Sequence, residues 1–426
     1  MSQVNEKVME VNGINLHLVP SKKFKTISFV AKFKAPLHRN TITERALLPY
    51  VMQQGTKLYP NLGSLHQKLD DLYGATFSID GTKKGNFHII TIRLEVPNQR
   101  YIKNESSLVD QTIELLNEII TKPNVSDNSF DTEIVEREKE TLKQKINSIM
   151  DDKMSYANMR LIEEMCENEL YQTSVYGYID DLPQLNGEKL YLYYQSLLKE
   201  DRMDLYVLGD FEEDDMTKSI KTIIKKEKLL HTETELTDDI NKVSEPKTVI
   251  EKQLVQQAKL HIGYRTNCTY RDELYGALQV FNGMFGGFPN SKLFINVREK
   301  SSLAYYAASR IESHKGLMLV FSGIAPTDFQ QAKSIINEQI NAMKSGDFTE
   351  DEINSTKEQI INKLLETLDH PLGVIELLYQ QVVANFKLSP IEFIENIKKV
   401  EKKNIIEVAQ QIEEDTTYLL TNKGDE

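Results

Sequence analysis

The chain is 426 residues long, with 51 Lys and Arg against 64 Asp and Glu and a formal net charge of −13. Such a length points to roughly two to four domains, and 40% hydrophobic with 27% charged residues describes a folded globular protein; the acidic balance excludes non-specific nucleic-acid binding, which draws on surplus Lys and Arg. No stretch approaches the ~20 apolar residues that cross a bilayer, MSQVNEKVMEVNG carries no expected secretory leader, and two cysteines, Cys166 and Cys268, are too few for a disulfide scaffold, so a reducing cytoplasm is the expected location.

The first 35 residues read as paired strands. Val8, Glu10, Ile14, Leu16 and Leu18 flank Asn12-Gly13, the dipeptide favoured where both central turn residues need positive φ. Ile27, Phe29, Ala31 and Phe33 then alternate as one face of a strand. Leu62, Leu65, Leu69 and Leu72 recur at helical spacing and stop at Gly74, Phe87 to Leu94 is strand-like, and helical patterns run from about Leu108 to Ile120 and Phe130 to Met150. The first half closes on MDLYVLGDF, a short apolar run with a glycine turn.

A polar segment follows, and residues 226–250 are expected to be a linker between domains at 1–225 and 251–426. After it the order of elements repeats: the strand-like KLHIGYRT, a helix through Tyr275, Leu278, Phe281 and Met284, a glycine-containing loop, more strands, three or four amphipathic helices and a terminal strand, TTYLLT. Thr349 with Glu352 fits a capping box. Strands and helices do not alternate regularly, so the expected fold class is α+β, with two homologous halves, each a mainly antiparallel sheet packed with helices.

Residue types alone offer no self-sufficient active site. No two of the eight histidines lie three to five residues apart, so no helix presents a pair of imidazoles to a metal, and no metal site is expected in this chain. His17, His88 and His261 read as half-buried or surface strand residues. The alternating charges of Glu136, Arg137, Glu138, Lys139 and Glu140 read as a solvated helix face. Gly283, Gly286 and Gly287 read as tight turns after a helix.

One stretch carries more: GGFPNSKLFINVREKSSLAYYAAS resembles the second-half signature of the pitrilysin/insulinase family of zinc peptidases, with a glycine loop, Leu-Phe, Val-Arg-Glu and Leu-Ala-Tyr in order. Ser302 stands where the family often has glycine. Upstream, ITERALLPYVMQQGTKLYP occupies the place of the family's H-x-x-E-H helix. Counting back from Gly55-Thr56 puts the two histidine positions at Ala46 and Tyr50 and the general-base glutamate at Pro49. Lys145 falls where a further zinc-binding glutamate stands in the family. Alanine has no donor atom, proline accepts no proton, a phenol with a pKa near ~10 is a poor zinc ligand, and an ammonium repels the metal.

The resemblance therefore implies a non-catalytic subunit, similar to the zinc-less peptidase-like proteins of low-GC Gram-positive bacteria linked with elongation-factor-P modification. It implies that zinc resides in a partner subunit bearing H-x-x-E-H. Arg298 would hold a substrate carbonyl and Tyr305 would stabilise an oxyanion, with Gly286 and Gly287 in a substrate-guiding loop and peptides as substrates. A rival expectation is a catalytically silent peptide-binding or scaffold homodimer. A zinc peptidase with an unrecognised ligand set is a third.

Overall fold

The computed structural model describes residues 4–103, 106–224 and 245–422. The first half runs β1 (Lys7–Val11), β2 (Ile14–Pro20), β3 (Thr26–Pro36), α1 (Ile42–Met52), α2 (Leu62–Asp71), β4 (Thr76–Lys84), β5 (Phe87–Pro97) and α3 (Leu108–Thr121). It continues with the short pair β6 (Val125–Ser126) and β7 (Ser129–Phe130), then α4 (Thr132–Asp151), α5 (Lys153–Met165), α6 (Gly187–Glu200), β8 (Arg202–Gly209) and α7 (Glu213–Ile223). The second half runs β9 (Lys247–Lys252), β10 (Ala258–Arg265), α8 (Tyr275–Asn282), β11 (Ala304–Glu312) and β12 (Leu317–Ile324). Five helices follow, α9 (Phe329–Ser345), α10 (Glu350–Thr367), α11 (Pro371–Ala384), α12 (Pro390–Lys399) and α13 (Lys402–Gln411), before β13 (Glu413–Thr421). The expected linker lies mostly on residues outside the description, and its last four, Lys247–Ile250, open β9.

Local chemistry explains the elements. Asn12 and Gly13 take φ of 48° and 78° and close the β1–β2 hairpin, as a two-residue turn with positive φ at both centres requires. Thr349 and Glu352 form the reciprocal capping box that starts α10.

The chain divides into two compact units. The first takes the described residues of Met1–Asn147, Thr173–Leu236 and His370–Glu376; the second takes Ser148–Gln172, Thr237–Asp369 and Leu377–Glu426. Two segments thus leave the sequence half they belong to. In the second unit α5 lies on β10 and β13, where Ala157, Leu161 and Met165 cluster with Leu319, Phe321 and Tyr418.

The first unit holds a six-stranded sheet in the order β1-β2-β8-β3-β5-β4, and the second a five-stranded sheet in the order β11-β12-β10-β13-β9. Read from its other edge, the second repeats β2-β8-β3-β5-β4 strand for strand. Even the parallel pairs, β2 with β8 and β9 with β13, correspond. The fold is mixed α/β with sheets rich in antiparallel pairs, built twice from one plan.

Ile27, Phe29, Ala31 and Phe33 enter the first core, as their alternation predicts. Burying each phenylalanine contributes about 2–3 kcal/mol. The opposite face of β3 is buried too, and Lys32 is only 1% exposed, ion-paired to Glu376. Full burial also corrects the expectation for the three strand histidines. His17 donates from both ring nitrogens, to Glu6 (2.7 Å) and to Asp204 (3.1 Å), His88 accepts from Arg45, and His261 packs edge-on to Phe321. Glu138 likewise leaves the solvated face expected of its charged run and is 5% exposed.

The glycine run is not a loop. Gly283–Gly287 continues α8 as a π-helical turn with helical backbone at Gly283. Its glycines answer to close packing. A Cβ on Gly286 would meet the Ser309 backbone nitrogen at 2.7 Å and Leu293 Cδ1 at 2.8 Å. The missing side chain is what lets the helix end press against β11.

Candidate functional site

Two regions carry the residues singled out by sequence, one in each unit. In the first, α1 presents Ala46 and Pro49 to the interior, and Ala46 belongs to the hydrophobic core. No donor atom stands at either position. Tyr50 is half-buried, and burial first, then Tyr176 and Glu138, raise its phenol above the ordinary tyrosine value. A phenol held neutral donates a proton but makes a weak metal ligand. Lys145 lies exposed on α4, its ammonium 5.4 Å from the centre of the Tyr176 ring. The structure thus brings Tyr50 and Lys145 to a common neighbour. The sequence pattern does not single out Tyr176, which lies over a hundred residues from Tyr50, and it reads Glu138 only as part of a charged run. Zinc does not fit this set of side chains. Among the described residues no group of three or more His, Cys, Asp or Glu could hold a metal ion.

What holds α1 in place is Arg45, next to Ala46. Its side chain is 2% exposed, and every edge of the guanidinium is occupied. Nε donates to His88 Nδ1 (3.0 Å), Nη1 to the Tyr193 hydroxyl (3.0 Å), and Nη2 to the carbonyls of Phe33 (2.9 Å) and His88 (3.2 Å), with Asp201 paired at 2.7 Å. Burial first, then the Arg45 charge, push the His88 imidazole down to about 3, so it stays neutral and accepts. Pro49 lacks an N–H, and the helix ends within a turn of it, with Gln53 bonding back to the Pro49 carbonyl.

In the second unit, unusual backbone concentrates in one stretch. Phe294–Lys300 is a second π-helical segment, and it carries Arg298. Such segments are rare and recur at functional sites. Ser302 has φ of 53°, the left-handed region that glycine occupies without penalty, at the position where the family often has glycine. Ser302 N and Leu303 N close the turn on the carbonyls of Arg298 (3.1 Å) and Val297 (3.1 Å). The β11–β12 register then slips between Ala304 and Tyr306, leaving Tyr305 as the bulged residue of an edge strand, 75% exposed. A bulge re-aims a side chain and terminates regular pairing. Arg298 is also exposed, stacked 4.6 Å from the Phe294 ring centre and only loosely paired with Glu299 at 3.8 Å. Gly286 is buried under β11, whereas Gly287 is exposed. Nothing in the sequence pattern announced the two π segments or the bulge.

Comparison with known proteins identifies the family and the fold. The family described as "Peptidase M16 inactive domain" matches residues 184–360. The chain is 48% identical over 426 residues to the probable inactive metalloprotease YmfF of Bacillus subtilis (strain 168), covering 100% of this chain and 99% of that protein. It is similar to a crystal structure of a conserved protein from Enterococcus faecalis V583, at 34% identity and a TM-score of 0.92, covering 99% of this chain and 100% of that one. A protease from Helicobacter pylori shares the fold at 17% identity and a TM-score of 0.81, over 98% of this chain and 100% of that one. The chain belongs to the M16 family of metallopeptidases, as an inactive member.

Proposed function

We propose that this chain is the zinc-less subunit of a two-subunit peptidase, lending Arg298 and Tyr305 to a partner of the same family that carries H-x-x-E-H. The observation that carries the reading is the placement of Tyr305. It stands on a bulge of an edge strand, three-quarters exposed, behind a left-handed serine and a π-helical segment that bears Arg298. Backbone of this kind costs folding energy, and packing alone does not call for it.

In the paired enzyme the partner's H-x-x-E-H side chains would hold zinc, which would supply Lewis-acid activation of a water. Within this chain, the Tyr305 hydroxyl donates a hydrogen bond to the oxyanion as the peptide carbonyl becomes tetrahedral, and the Arg298 guanidinium donates to a neighbouring substrate carbonyl. The free edge of β11 pairs with an extended peptide, its main chain giving affinity along the strand. The substrates are peptides or extended segments, and the pair works in the cytoplasm.

The test mixes the purified chain with a zinc-bearing M16 subunit from the same organism and follows peptide cleavage. Cleavage is expected only in the mixture, with Tyr305→Phe lowering kcat about 10²–10³-fold and Arg298→Ala chiefly raising KM. A mixture whose activity ignores both substitutions disproves the shared site. A mixture that never cleaves, while the chain alone self-associates and binds peptide, favours a silent scaffold instead.

A further inference from the structure

The net charge of −13 is not evenly spread. Where α12 gives way to α13 the chain reads Lys398-Lys399-Val400-Glu401-Lys402-Lys403. With Lys357 and Glu350 of α10, these residues line an open cleft of about 590 Å³ in the second unit. Five ammonium groups there face two carboxylates.

The local contacts leave most of that charge uncompensated. Lys357 Nζ donates to the Lys398 carbonyl (3.2 Å) and Lys402 Nζ to the Phe348 carbonyl (2.8 Å), neutral acceptors that fix the side chains without cancelling them. Glu401 pairs with Lys403 at 2.7 Å, both partners well exposed, so the pair is weak. The side chains of Lys398 and Lys399 are exposed and meet no acid within ion-pair distance among the described residues. The start of α13 adds the partial positive charge of a helix amino terminus.

We propose that this cleft docks a short acidic segment of a partner polypeptide, one carrying several consecutive Asp or Glu residues. A short segment fits better than a long polyanion. Roughly six extended residues reach only ~20 Å, whereas a nucleic-acid strand would run off the lysines onto the acidic remainder and be repelled. The cleft lies apart from Arg298 and Tyr305 in sequence and stands whether or not the chain helps a partner cleave peptides.

The experiment titrates the full chain into fluorescently labelled hexaglutamate at low salt and again near physiological ionic strength. Saturable binding that weakens as salt rises is expected, and Lys398→Glu with Lys399→Glu should weaken it at least about tenfold. Lys22→Glu with Lys23→Glu changes the net charge equally at exposed positions of the first unit and should leave binding within about twofold. Equal losses in both double variants, displacement by inorganic phosphate at matching concentration, or tighter binding of an oligothymidylate would each overturn the proposal.

Discussion

The two units follow one strand plan yet differ in what surrounds their motif residues. In the first, α1 is held as packing, with Ala46 in the core and Arg45 anchored on all sides. In the second, the side chains at the motif are exposed and the backbone beneath them is distorted, through two π segments, a left-handed serine and a bulge. The contrast separates side chains that hold the fold from side chains that the fold leaves exposed. A helix can lose its chemistry and keep its stability, whereas strained backbone under exposed polar groups offers stability nothing.

The comparison can be broken by attacking each region where it is held. Arg45→Ala removes the cation among His88, Tyr193 and Asp201 and should destabilise the protein by about 3–5 kcal/mol, because buried partners are left unpaired; denaturant titration reads this directly, and a loss below ~1 kcal/mol would deny the anchor. Acid should act through the neutral histidines. His261 is pushed down to about 3, by burial first and then by Lys259, and neither ring nitrogen finds a hydrogen-bond partner. The unfolded ring titrates near ~6.5, so its contribution is complete above that pH. It falls by roughly 1.4 kcal/mol per unit, about 2 kcal/mol by pH 5, as acid protonates the unfolded chain preferentially.

His88 follows the same sign in the first unit, but there His17 opposes it. Burial disfavours the His17 charge, yet hydrogen bonds to Asp204 and Glu6 outweigh that and raise its pKa. Its contribution is present in acid and lost as pH rises through the folded value. Acid sensitivity should therefore fall more in His261→Leu than in His17→Leu, as seen in denaturation midpoints at pH 7 and pH 5. Equal slopes would refute the assignment.

Gly286→Ala forces a methyl against Ser309 and Leu293 and should cost about 1–3 kcal/mol. An unchanged melting temperature would mean that the π turn is not pressed onto β11. The smallest effect has the opposite sign. Ser302→Gly should stabilise by about 0.5–1 kcal/mol by relieving the left-handed residue, and no gain would show that the turn is unstrained.

Much of the architecture was legible because periodicity reports it directly. The alternation in β3, the Asn12-Gly13 turn and the capping box at Thr349 all depend on neighbours within a few residues. The family was legible for another reason, since the run from Gly286 to Ser309 keeps the family's glycine loop, Leu-Phe, Val-Arg-Glu and Leu-Ala-Tyr in order. Lys32, His17 and Arg45 were not, because their partners lie far along the chain and a lone polar residue in a strand carries no sign of burial. Glycines misled where they serve contact rather than turning: around Gly283 and Gly286, Thr356 of α10, Ser309 of β11, Phe288 and Leu293 leave no room for a side chain.

The pairing of Lys32 with Glu376 also bears on how the protein is made. Their separation is 344 residues, so a ribosome delivers every strand of the first sheet long before it delivers that carboxylate. Until then the Lys32 ammonium lacks that counter-charge, and burying an ammonium without its carboxylate costs several kcal/mol. Completion of the first unit thus waits on the last part of the chain, which supplies its segment His370–Glu376.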